Sequence, residues 1–261
     1  MQQLIVVKIG GNIIDDEKQL NAFLESFVAI DGHKILVHGG GKIATEIGKK
    51  LGIEAKYVNG RRITDAATID LVTMVYAGSI NKKIVASLQA LNCNAIGLTG
   101  ADANLMPANK RPVKDIDYGF VGDVKSGQIN TKILKTFLEN DLAPVFAPLT
   151  HDGGGSMLNT NADTIAQELA KSMAALMDVQ LVYCFEKKGV LSDPSNDGSV
   201  INEMNEQLFF GLKGKGIISE GMIPKLENAF AAIGKGVKKV IIGHAADFDK
   251  LIAGTEGTSI I

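Results

Sequence analysis

Short runs of β-branched and aliphatic residues alternate with longer amphipathic stretches through the first half of this chain, which restricts the fold to helices wrapped on a largely parallel sheet. Leu4 to Lys8 reads as a strand. Leu20, Phe23, Leu24 and Phe27 then recur at helical spacing behind Asp15 and Asp16, either of which suits a helix start. Ile35-Leu36-Val37 is the next strand, ending on His38 and three glycines. Asn59-Gly60 is a hairpin dipeptide, because both turn positions accept positive φ, and Lys56 to Val58 and Arg61 to Ile63 are its arms. Thr64 opens a long helical pattern through Leu91, whose face carrying Met74 reads as core, and Ala95 to Leu98 is a strand. Prolines and glycines between Pro107 and Gln128 mark short antiparallel strands.

The second half repeats the alternation. Thr131 to Asn140 reads as a helix and Pro144 to Ala147 as a strand. Asn159 to Met177 reads as a helix with Ile165, Leu169, Ser172, Met173 and Leu176 on one face. Leu181 to Cys184 is a continuous apolar strand of the buried type. Glu203 to Leu212, Pro224 to Ile233 and Ala246 to Ile252 read as helices, and Lys239 to Ile242 and Ser259 to Ile261 as strands. The coarse boundary lies near residues 175 to 180.

Composition excludes several classes. Lys plus Arg is 27 against Asp plus Glu at 29, a net charge of −2 without long blocks of one sign, so nucleic acid and membrane surfaces are not expected partners. No segment approaches the roughly 18 apolar residues of a membrane span, and the chain opens on a strand rather than a signal peptide. Cys93 and Cys184 sit in apolar runs without C-x-x-C spacing, which reads as two buried thiols in a reducing, cytoplasmic setting. His33, His38, His151 and His244 lack metal-ligand spacing, and most of them read as surface or capping residues; no metal site is expected. Glycine is in excess, at 29 of 261 residues against a typical ~7%, and it is clustered.

The clusters carry chemistry. In Lys8-Ile9-Gly10-Gly11 the missing Cβ atoms let backbone N–H groups approach an anion beside a cation, although a turn with a solvated lysine reads the same way. His38-Gly39-Gly40-Gly41-Lys42 feeds a helix opening around Ile43, a stronger anion nest because the helix dipole reinforces it. Neither the P-loop nor the dinucleotide spacing is met. Asn159-Thr160-Asn161-Ala162-Asp163 holds more polar groups than the N-cap that Asn159 or Asn161 would supply. Gly221-Met222-Ile223-Pro224-Lys225 places a lysine at a helix start, where the dipole disfavours it unless an anion lies between.

In this order the motifs resemble the amino-acid kinase family, most closely its N-acetylglutamate kinase branch; Asn59-Gly60-Arg61-Arg62-Ile63-Thr64 and Gly257-Thr258 also fit, so the likeness spans nearly the whole chain. It implies a three-layer α/β/α sandwich with a mostly parallel central sheet. Residues 1–175 would form an acylglutamate-binding and dimerising lobe and 176–261 an ATP-binding lobe. The implied activity is ATP- and Mg²⁺-dependent phosphorylation of the side-chain carboxylate of N-acetyl-L-glutamate in arginine biosynthesis.

Lys8 and Lys225 would neutralise the transferring phosphoryl group and Asp163 would position them. Gly40, Gly41, Arg62 and Asn159 would hold the acylglutamate; Gly10, Gly11, Glu186, Gly189, Leu191, Ile218 and Ser219 would hold phosphate and nucleotide. Phosphoryl transfer needs positioning and charge stabilisation above all. A glutamate carboxylate, with pKa about 4.3, needs no general base at neutral pH.

The chain departs from the family where Phe185-Glu186 stands in place of a usual Asp, and at Gly100 to Asn104 and Lys110-Arg111. Lacking a helix before the first strand, it is expected to be a homodimer without arginine feedback. N-succinyl-L-glutamate is a second candidate substrate, with Arg61, Lys110 or Arg111 as partners for the extra carboxylate. Kinases acting on aspartate, free glutamate, carbamate or a nucleoside monophosphate, and a non-catalytic sensor, are compatible with the same fold.

Overall fold

The computed structural model describes residues 1–58, 60–125, 127–193, 195–218 and 222–261. Strand β1 (Gln3–Ile9) leads through α1 (Gly11–Asp15) and α2 (Glu17–Val28) to β2 (His33–His38) and α3 (Gly41–Lys50). The hairpin β3 (Tyr57–Val58) and β4 (Arg61–Arg62) precedes a continuous helical run of α4 (Ala66–Val72), a π-helical stretch (Thr73–Ile80) and α5 (Asn81–Ala90). Then come β5 (Ala95–Leu98), the pair β6 (Ala108–Lys110) and β7 (Gly122–Val124), α6 (Thr131–Glu139), β8 (Ala143–Phe146), and the pair β9 (Leu149–His151) and β10 (Met157–Asn159). The chain closes with α7 (Ala162–Met173), β11 (Asp178–Phe185), β12 (Glu203–Met204), α8 (Glu206–Gly214), α9 (Ile223–Ile233), β13 (Lys239–His244), α10 (Phe248–Ala253) and β14 (Thr258–Ile260).

An eight-stranded sheet runs in the order β12-β14-β13-β11-β1-β2-β8-β5, parallel except that β14 opposes β13. Strand β1 lies where the early strands turn one way and the late strands the other, the position at which open α/β sheets leave a crevice beyond the strand ends. Its side chains alternate between two cores. Leu4 and Val6 join one with α7 and α9, while Ile5, Val7 and Ile9 join the other with α2, α4 and α10. Each such burial contributes about 1.5–3 kcal/mol. The same period of two puts Lys8 on the Leu4 and Val6 face, the one α7 covers.

Several expected boundaries shift, each for a local reason. The helix expected from Asn159 begins at Ala162, because Asn159 pairs with Leu149 and Asn161 supplies the cap, accepting from Thr164 N. The helix also ends at Met173 rather than Met177. The helix expected from Glu203 begins at Glu206: Glu203–Met204 is a strand beside β14, and Asn205 caps the helix. Thr64 precedes its helix and Asp65 is the cap. The π-helical stretch breaks the 3.6-residue register, so Met74, expected in the core, is 59% exposed. Asn59, half of the expected hairpin dipeptide, lies outside the described residues.

His38, one of four histidines read mostly as surface or capping residues, is fully buried at the end of β2. Burial pushes its imidazole down to about 4. The native state therefore keeps it neutral while the unfolded chain protonates it near pH 6.5, so the unfolded state binds more protons between those values. Stability fully present above pH 6.5 should fall by about 3 kcal/mol as pH drops toward 4. Urea unfolding across that range should show the loss, and the His38→Asn variant should lack this slope.

Candidate active site

The C-terminal ends of β1, β2 and β11 open onto three clefts that divide the residues singled out above. The first, of about 240 Å³, is lined by Gly40, Gly41, Arg62 and Asn159, together with Arg61 and Arg111. The second, of about 350 Å³, is lined by Lys8, Gly10, Gly11, Glu186 and Lys225, with Phe185. The third holds Gly189, Leu191 and Ile218 beside Lys187. Ser219 and Gly221 lie outside the described residues. The glycine turns beside the first two clefts touch, Gly39 N donating to Ile9 O at 3.1 Å.

Segment 159–163 ties these clefts together. Asn159, Thr160, Asn161 and Ala162 line the first, and the next residue, Asp163, reaches Lys8 of the second with Nζ 2.8 Å from Oδ1. Helix α7 lies over the β1 face that carries Lys8, and Asp163 occupies its first turn. The pair is a close, largely buried ion pair. Burial raises the Asp163 carboxyl, but Lys8 and Lys225 together outweigh it and hold the group below the usual carboxylate range.

Lys225 stands in the first turn of α9, its Nζ 3.9 Å from the centre of the Phe185 ring. Burial pushes its ammonium down, Asp163 and Glu186 pull it up, and Lys8 adds to the lowering; the net shift is downward. Among the described residues Lys225 has no ion-pair partner, and a cation over an aromatic face keeps its charge without one. It is thereby left available to an incoming anion.

Arg62 is 7% exposed. Its Nη2 donates to Gly41 O at 2.9 Å, to Thr45 Oγ1 at 2.8 Å and to Tyr57 Oη, and the guanidinium stacks 4.8 Å from the centre of the Tyr57 ring. These contacts anchor the side chain in the first cleft. Asn159 Nδ2 donates to Thr64 Oγ1 at 3.0 Å. Arg111 pairs with Asp123 at the rim and stacks on Tyr118, whereas Lys110 lies over the Phe120 ring and does not line the cleft.

Sequence reasoning missed Tyr57 and Tyr76 in the first cleft and gave Phe185 no role of its own. Tyr57 was discoverable as the aromatic beside the Arg61-Arg62 hairpin. Tyr76 was not, because its orientation follows from the π-helical stretch. The arrangement suits transfer of an anionic group. One cleft presents two cations beside glycine turns, and the other presents an arginine and an amide for a small acid.

The chain matches the Amino acid kinase family across residues 3–244. It is 57% identical to the acetylglutamate kinase of Parabacteroides distasonis over 95% of this chain and 96% of that protein. It is 56% identical to the acetylglutamate kinase of Cytophaga hutchinsonii over 100% and 99%. Among solved structures, N-acetylglutamate synthase from Neisseria gonorrhoeae, complexed with coenzyme A and N-acetyl-glutamate, superposes with a TM-score of 0.82 at 21% identity, covering 99% of this chain and 59% of that one. That likeness is one of fold.

Proposed function

The chain belongs to the amino acid kinase family, and from that premise we propose that it transfers the γ-phosphoryl group of ATP to the side-chain carboxylate of N-acetyl-L-glutamate. The product is an acyl phosphate in arginine biosynthesis. Relatives more than half identical over nearly their full length carry that activity in their names. The observation that carries the residue assignments is the 159–163 segment, which lines an arginine-bearing cleft and ends on the carboxylate paired with Lys8.

In this reading the acylglutamate occupies the cleft of Gly40, Gly41, Arg62 and Asn159, and the nucleotide occupies the cleft of Gly10, Gly11 and Glu186 and its continuation at Gly189, Leu191 and Ile218. An ionised carboxylate oxygen attacks the γ-phosphorus, the bond to the bridging oxygen breaks, and ADP leaves with that electron pair. No proton need move, because the acceptor is already ionised. Lys8 and Lys225 neutralise charge spreading over the equatorial oxygens, and Asp163 keeps Lys8 in place. No group of three or more His, Cys, Asp or Glu among the described residues suits a metal. Mg²⁺ would be held mostly by the nucleotide's own phosphate oxygens and water.

Residues 1–175 would form the acylglutamate lobe and 176–261 the nucleotide lobe, which supplies Glu186, Gly189, Leu191, Ile218 and Lys225. A homodimer and a cytoplasmic setting belong to the same proposal. No described helix is long and apolar enough to cross a membrane.

Arg61 and Arg111 in the first cleft favour one second reading, in which the acyl group is succinyl and its extra carboxylate meets one of them. Trapping the acyl phosphate as a hydroxamate, with acetylglutamate, succinylglutamate, free glutamate and aspartate in parallel, tests both. Signal with acetylglutamate is expected. No signal with either acylglutamate defeats the proposal, and a higher kcat/KM for the succinyl compound moves it to the second reading.

A further inference from the structure

We propose that His38 and Asn81 are positioning residues for the first cleft, holding the Gly39–Gly40 peptide in the orientation that aims the Gly40 N–H at the bound acid. The inference rests on the acylglutamate reading of that cleft. His38 Nδ1 lies 2.7 Å from Gly39 O. A carbonyl only accepts, so Nδ1 carries the proton and Nε2 is left as an acceptor. Asn81 satisfies it: Nδ2 donates to His38 Nε2 at 3.2 Å and to Val145 O at 2.9 Å, while Oδ1 accepts from Lys82 Nζ at 3.2 Å. Lys82 Nζ also donates to Gly97 O at 3.0 Å. Reversing the Asn81 amide would set Oδ1 against the Val145 carbonyl, so the imidazole tautomer and the amide orientation are mutually determined.

The surroundings are shaped to admit this network. His38 and Asn81 are 0% and 1% exposed. A Cβ on Gly97 would stand 1.9 Å from Asn81 Oδ1, and one on Gly40, where φ is +149°, would stand 2.4 Å from Ile80 Cδ1. Ile80 thus abuts Gly40 of the triple glycine, while Asn81 fits against Gly97 and reaches His38.

The consequence follows from the planar trans peptide, in which C=O and N–H point in opposite directions. With Gly39 O held inward by His38, the Gly40 N–H of the same peptide faces outward, toward the cleft that Gly40 lines. Between two glycines nothing local opposes a flip of that peptide. The burial of His38 keeps the imidazole neutral at working pH and so keeps Nε2 an acceptor. None of these side chains lines the cleft; they act through the backbone.

The test compares His38→Leu, His38→Asn and Asn81→Leu with the wild type. In His38→Leu, kcat/KM for the acylglutamate should fall about 10–100-fold while KM for ATP stays within about two-fold. His38→Asn, whose Nδ2 can replace Nδ1 as donor to Gly39 O, should restore most of the loss. Asn81→Leu should lose part of the activity, and the double His38→Leu/Asn81→Leu variant should be no worse than His38→Leu alone. An Asn variant as damaged as the Leu variant overturns the proposal, as do variants that lose only thermal stability and keep their rate constants. Nitrogen-15 NMR of the wild-type imidazole decides the geometry whether or not a variant folds. A protonated Nδ1 is expected, and a protonated Nε2 overturns the proposal. Wild-type protein inactive on every acylglutamate sinks the acylglutamate reading and this proposal with it, whereas active wild type with unaffected variants sinks this proposal alone.

Discussion

Replacing Lys8 by Ala is expected to lower kcat by about 10³-fold, the scale seen when a charge-stabilising donor is removed from a transition state. Lys8 projects from the central strand into the second cleft, and both it and Asp163 are largely withdrawn from water, with side chains 12% and 18% exposed. Solvent therefore has little room to supply the missing charge. The KM values should change far less, because the interaction strengthens as charge spreads on the transferring group. A second consequence concerns Asp163. With Lys8 gone, burial, the largest influence on the carboxyl, faces only the Lys225 charge, so its pKa should rise. Stopped assays with saturating ATP and acylglutamate read the first effect, and the pH dependence of unfolding reads the second. Full activity in the Ala variant would remove Lys8 from the chemistry.

The second large effect is expected at Asp163. The Asn variant keeps size and shape but leaves two cations in one site without their shared counter-charge. Loss of about 10²-fold in kcat is expected as Lys8 loses its anchor. The stability cost is about 3–5 kcal/mol where the buried charge stays unpaired. The pH profile distinguishes this from simple loosening. Lys225 is already pushed down by burial, and Asp163 is the first of the groups pulling it back up. Without Asp163 the ammonium should deprotonate at lower pH, so the alkaline limb of kcat should move toward neutrality. The linkage sign in the wild type is the reverse. The Asp163 carboxyl, held low, contributes stability above its unfolded value and loses it only as pH falls through the folded one. An unshifted alkaline limb in the Asn variant would count against the electrostatic role of Asp163.

Much of the fold was legible because helix and strand periods are local. The apolar run of β1 reads as a strand, the β2 run ends where its glycines begin, and α2 (Glu17–Val28) is capped by Asp16, whose carboxylate accepts from the N–H groups of Lys18 and Gln19. The glycine turns were legible for the same reason, since clustered residues without Cβ stand out in a local reading of the chain. Where the local signal was short, tertiary pairing decided. Asn159 and Glu203 each sit beside a helix in sequence and in a strand in the structure, because a neighbouring strand offered their backbones hydrogen bonds.

The sequence by itself determined the order of strands and helices, the glycine turns at two strand ends and the lysines placed beside a glycine turn and at a helix start. Only the tertiary structure decided which charges meet. Lys8 and Asp163 lie far apart in the chain and become partners because α7 packs on one face of β1. It also decided that Lys225 rests on Phe185 and that His38 is buried under Asn81. Periodicity records which face of an element is apolar. The partner of a buried charge or polar atom is set by the elements that cross above it.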